Sequence, residues 1–293
     1  MKISHFASAA ASVLVLSMAT SAFAQTGYVS GTVGTNRYHA ALQQNTTYSL
    51  NGGVDVPVGM VNLSVEGLYA DTGRDGLALT TAKIGGTSFD NQTLAAASVY
   101  KRTDKWTFGG SIAGGDLGSI AFNHADTTSG ALTKTIDNIN EVEGSVFAQT
   151  NGDKWVGSAR VTFGQISAGT TRHSASPSGY RNVSDEIDFA EVSFAGDFFV
   201  NDNAMMTFGF SYKDFSNRND PVMSAGVGGE WKAKDSPIGI IGGVQFNRFG
   251  NQVQLGVVAT FGGGTLADQV KKGPAAPVLT SLKQWTSLYL QGR

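Results

Sequence analysis

From Met206 to Lys213 the chain alternates without a break: Met206, Phe208, Phe210 and Tyr212 are large and apolar, while Thr207, Gly209, Ser211 and Lys213 are small or polar. Successive side chains of a β-strand point to opposite faces, so a period of two means a strand with one greasy and one wet side. The pattern recurs. Tyr48, Leu50, Gly52, Val54 and Val56 alternate with Ser49, Asn51 and Asp55, and Val61, Leu63, Val65, Gly67 and Tyr69 with Asn62, Ser64 and Glu66. Trp155, Gly157, Ala159, Val161 and Phe163 alternate with Ser158, Arg160 and Thr162. A chain with this repeat must build an all-β structure whose greasy faces share one environment and whose wet faces share another.

About twelve such segments can be placed, near 27–34, 46–56, 60–70, 93–101, 105–113, 139–150, 154–167, 187–200, 203–215, 222–233, 237–248 and 252–261. Their connections are tight ("PVG", "RTD", "NGD", "VND", "KDSP") in alternation with longer ones, including Gly- and Thr-rich stretches at 72–92, 114–138 and 169–186. Short turns on one side and long loops on the other is the layout of an antiparallel up-and-down transmembrane β-barrel, with both termini on the short-turn, periplasmic side. A soluble sandwich would bury its apolar faces against each other and would not sort its connections by length.

Composition agrees. Only 15% of residues are charged, 38 of 293 are glycine and six are proline. There is no cysteine, which excludes a disulfide framework, a thiolate metal site and a cysteine nucleophile. A net charge of −2 argues against a nucleic-acid partner. Residues 1–24 combine Lys2, an apolar stretch through Met18 and the small-residue pattern Ala22-Phe23-Ala24, the form of a secretory signal peptide. Beyond them no apolar run reaches the roughly 18 residues of a membrane helix, which leaves strands as the means of crossing.

Aromatic rings fall beside the short turns: Trp106 and Trp155 just after one, Phe198 and Phe199 before another, Trp231 before a third, and Phe261 at the end of the last strand. All six are expected in a girdle at the periplasmic interface. The closing strand "QVQLGVVATF", apolar at alternate positions and ending in Phe261, resembles the last strand of Gram-negative porin-like outer-membrane barrels. The resemblance covers about 25–262 in architecture. It implies a bacterial outer-membrane location, outer-membrane lipid and the outer-membrane assembly machinery as partners, and a homo-oligomer as one form of the protein. Phe261 departs from the pattern in being followed by 32 residues.

The wet face supplies the candidate pore lining: Asp55, Glu66, Glu141, Glu143, Glu191, Asp197 and Glu230, with Arg160, Lys213 and Lys232 as counterweights. Charges on a barrel's inner face either pair across the interior and fill it or line water and set ion selectivity. Ser111, Gly209, Gly226, Gly228 and Gly243 on the same face leave room, favouring a narrow water-filled pore for ions or small hydrophilic solutes. The rival is a closed structural or adhesive barrel acting through its extracellular loops. A rim hydrolase is a further alternative, since His39, His124 and His173 fall in long connections and His124 is near Asp116 and Asp126. No Ser-His-Asn spacing or helix-borne ligand pair accompanies them, so no catalytic residue, metal or cofactor is assigned.

The tail over 263–293 begins on the periplasmic side. Gly262, Gly263 and Gly264 read as a flexible hinge and "GPAAP" as a helix breaker, so roughly 278–290 is the stretch expected to order, as a short amphipathic helix carrying Val278, Leu282, Trp285 and Tyr289. Disorder, docking on the inner leaflet, and plugging of the barrel from below are the three outcomes. Lys271, Lys272, Lys283 and Arg293 make the tail basic, opposite in sign to the wet face.

Overall fold

The structure, a computed structural model, describes residues 26–38, 44–72, 87–89, 91–126, 130–173, 185–216, 221–234, 236–248, 250–262 and 264–272. In chain order the strands are β1 (Thr26–Tyr38), β2 (Gln44–Val58), β3 (Val61–Thr72), β4 (Thr87–Phe89), β5 (Gln92–Arg102), β6 (Trp106–Asp126), β7 (Gly130–Asn151), β8 (Trp155–His173), β9 (Asp185–Asn201), β10 (Ala204–Phe215), β11 (Val222–Lys232), β12 (Ile238–Asn247) and β13 (Gly250–Phe261), followed by one helix, α1 (Leu266–Lys272). Every pairing is antiparallel. Sequence neighbours pair, β13 returns to β1 with Val257 opposite Gly31, and β4 attaches to the outer end of β6 through Thr87 and Phe122. Setting β4 aside, the strands form a closed ring of twelve, the up-and-down barrel expected from the alternation.

The barrel is greasy outside and polar inside. Val33, Val65, Val99, Ile112, Val142, Val146, Phe163, Phe194, Phe208 and Leu255 stand exposed on the exterior. Asp55, Glu66, Glu141, Glu143, Thr162, Ser211, Lys213 and Gln252 are buried on the interior. Adjacent Val257 and Val258 show the alternation at its sharpest, 53% and 5% exposed. A water-soluble fold could not present so large an apolar surface, whereas lipid solvates it and the closed ladder satisfies the backbone. The fold is that of a transmembrane barrel.

Trp106, Trp155, Phe198, Trp231 and Phe261 all point outward beside the short turns, 40–55% exposed, in the arrangement of an interfacial girdle. Phe199 does not join them. It is 3% exposed and faces the interior, because neighbouring strand residues take opposite faces and Phe198 shares the outward parity of Phe194 and Val200.

The stretch 114–138 is not a loop. β6 and β7 run on as a long hairpin from Asp116 opposite Asn140 to Asp126 opposite Gly130, interrupted by a bulge at Asp116–Gly118 in which the Gly118 amide donates to Asp116 Oδ1 at 2.7 Å. The bulge breaks the alternation that signals a strand while the ladder resumes beyond it. His124 and His173 therefore lie on strand extensions of β6 and β8, while His39 and residues 1–24 lie outside the described residues.

The tail also differs from expectation. Gly262 and Gly264 hold positive φ of 103° and 86°, a region glycine enters without strain, and the helix that follows is 266–272, not 278–290. The 278–290 stretch lies outside the described residues.

Candidate pore

Ten charged side chains singled out from the alternation face the barrel interior, and the antiparallel register sorts them by height. Nearest the short turns lie Asp55 on β2, Glu66 on β3, Arg160 on β8, Asp197 on β9 and, on β11, Glu230 and Lys232. Glu141 and Glu143 on β7, Glu191 on β9 and Lys213 on β10 lie nearer the long connections. Register places Lys213 opposite Glu191. Their side chains meet as an ion pair at 3.2 Å, and Glu141 approaches the same ammonium at 3.9 Å. The Lys213 nitrogen also lies 4.0 Å from the Phe189 ring centre and 5.7 Å from that of Phe215, so two aromatic faces and two carboxylates confine one cation.

Lower on the same side, the guanidinium of Arg160 stacks 5.2 Å from the Phe147 ring, and Phe147 packs at 6.3 Å against Tyr100. Arg102 donates to the Tyr100 hydroxyl at 3.3 Å. Arg102 and Tyr100 were not anticipated as lining groups. Their parity on β5, shared with Ser98 and Ala96, was the available signal.

Above the ion-paired layer the interior turns apolar: Leu94, Leu117, Ile139, Ile166, Ile187 and Phe215 are each no more than 3% exposed. They belong to β5 through β10 and pack one side of the lumen. The opposite side carries smaller groups beside a few apolar ones, Val222 and Val258 among them. Along β10 to β13 and β1 the inward positions include Gly209, Gly226, Gly228, Gly243 and Gly34, with Ser211, Ser224, Gln252 and Ser30 among them. Gly209 is the clearest opening: a methyl group placed on it would meet no atom within 4 Å. The interior is thus packed by apolar and aromatic side chains against β5 to β9 and open beside Gly209 on β10.

At the short-turn mouth, Lys232 Nζ donates to Gln269 Oε1 of α1 at 2.9 Å and to Thr260 Oγ1 at 3.2 Å. The described residues contain no cluster of three or more His, Asp or Glu side chains able to hold a metal ion.

No known protein family matches the sequence, and no curated protein does. Solved structures do resemble the fold. The translocator domain of the autotransporter NalP from Neisseria meningitidis superimposes with a TM-score of 0.56 at 9% identity over 88% of this chain and 96% of its own. The β domain of the Bordetella autotransporter Brka gives 0.50 at 12% identity over 80% and 98%. The KdgM porin in complex with disordered oligogalacturonate gives 0.47 at 9% identity over 80% and 99%. The fold is that of bacterial outer-membrane β-barrels.

Proposed function

We propose that this protein is a non-enzymatic diffusion channel of the outer membrane, passing ions or small hydrophilic solutes with a modest preference for cations. The observation that carries the proposal is the open interior beside Gly209, where an added methyl group would meet no atom within 4 Å. Among the described residues, seven inward carboxylates (Asp55, Glu66, Glu141, Glu143, Glu191, Asp197, Glu230) face four inward bases (Arg102, Arg160, Lys213, Lys232). A water-filled passage lined this way concentrates cations. Outer-membrane lipid and the assembly machinery are its proposed partners, and a homo-oligomer remains part of the proposal without a surface assigned to it. Single-channel recording in a planar bilayer tests the reading: stepwise conductance is expected, and silent insertion of heat-modifiable barrels would refute it.

The apolar layer of Ile139, Ile166 and Ile187 and the long β6–β7 hairpin favour a second reading, a closed barrel whose work is structural or adhesive. Silent insertion would select it.

A further inference from the structure

Helix α1 leaves β13 and turns back under the barrel. Its start is fixed by a reciprocal cap: the Asp268 amide donates to Thr265 Oγ1 at 3.2 Å, and the Thr265 amide donates to Asp268 Oδ2 at 3.2 Å. A helix this short is not stable by itself in water, so its contacts must hold it. Those contacts step around the rim. Gln269 Oε1 accepts from Lys232 of β11 and Thr260 of β13, each at 2.9 Å. The Ala267 amide reaches the Asp202 carbonyl in the β9–β10 turn at 3.4 Å. Lys271 then donates to the Asp153 carbonyl in the β7–β8 turn at 2.6 Å, with its ammonium 5.5 Å from the ring of inward-facing Phe199. Leu266 is 1% exposed.

In a ring of twelve strands the β7–β8 turn is on the far side from β13. A chain segment joined to β13 at one end and hydrogen-bonded to that turn at the other crosses the opening as a chord. We propose that α1 is a bar across the periplasmic mouth, latched by Gln269 on Lys232 and by Lys271 on Asp153, and that its release sets the open cross-section of the pore. The latches are hydrogen bonds from two lysines, Lys232 enclosed at the mouth and Lys271 reaching an exposed turn, each of modest net strength, which suits a bar that opens and recloses. The inference depends on the channel reading for its consequence and on geometry for its placement.

The test separates the two. The chain contains no cysteine, so Asp153→Cys with Lys271→Cys introduces a unique pair; Asp153 contributes only its backbone oxygen to the latch. A short bifunctional thiol reagent should join the two in the folded barrel, giving a compact band on denaturing gels and a single linked peptide by mass spectrometry. A second pair, Asp202→Cys with Ala267→Cys, checks the same placement with both latch side chains, Gln269 and Lys271, retained. Failure of both pairs to link in heat-modifiable protein overturns the bar. In bilayers, a chain ending after Phe261, and full-length Gln269→Ala with Lys271→Ala, should each show conductance raised about twofold or more over the unaltered protein, and the linked form should stay low. Equal conductance in all of them overturns obstruction by α1. Linked protein whose variants are all silent overturns its role in conduction and leaves the placement standing, with the channel reading at fault.

Discussion

Lys213 and Glu191 stand directly opposite each other on β10 and β9 and close an ion pair of 3.2 Å inside the barrel, with Glu141 3.9 Å from the same ammonium. Removing the cation leaves two enclosed carboxylates facing each other. Lys213→Met is therefore expected to destabilise the folded barrel by about 3 kcal/mol, measured by urea unfolding in lipid, because breaking an enclosed pair costs more than the pair contributes. The double variant Lys213→Met with Glu191→Gln should recover part of that loss. No recovery would mean that the ring contacts to Phe189 and Phe215 dominate.

The exterior gives a sharper contrast. Val257 is exposed to lipid near the middle of β13, so Val257→Arg should cost about 2–4 kcal/mol if it sits at the bilayer midplane and should reduce the heat-modifiable fraction. Val258→Arg points the same charge into the interior and should assemble better. Equal damage from both would contradict the facing of the strand.

Gly209→Arg adds a cation where open space exists. Assembly should proceed, since the new side chain displaces nothing within 4 Å of its first carbon. Reversal potentials across a salt gradient should move toward anions and conductance should fall. An unchanged reversal potential would place the ion path elsewhere.

The unaltered barrel should prefer cations, and Glu66→Gln with Glu230→Gln should weaken that preference without loss of folding yield. A clear anion preference in the parent would refute the sign of the lining.

The closing seam makes a prediction through Gly256, which faces Thr32 of β1. A methyl group there would collide with the Gly31 carbonyl oxygen, backbone that can retreat only by opening the β1–β13 ladder. Gly256→Val should lower the yield of closed barrel in gel-shift assays far more than Gly209→Val does.

Much of this was already present in the order of residues. Alternation is a local property of each strand, so the inward placement of Asp55, Glu141, Glu143 and Lys213, the outward placement of Val257, and the girdle of Trp106, Trp155 and Trp231 follow from parity alone. Closure into a ring follows from an even number of such strands with no interior core to bury their greasy faces. Tertiary structure decided what depends on distant partners. The β6–β7 ladder resumes past Asp116–Gly118 because two strands stabilise each other beyond a bulge that erases the pattern in either one. Ile139, Ile166 and Ile187 are buried on the inner face because β5 to β10 lie along one arc of the ring and gather them with Leu94, Leu117 and Phe215, a neighbourhood that no single strand encodes. Residues 266–272 are helical because Lys232, Asp202 and Asp153, far apart in the chain, converge on one rim and satisfy a segment too short to hold its own shape.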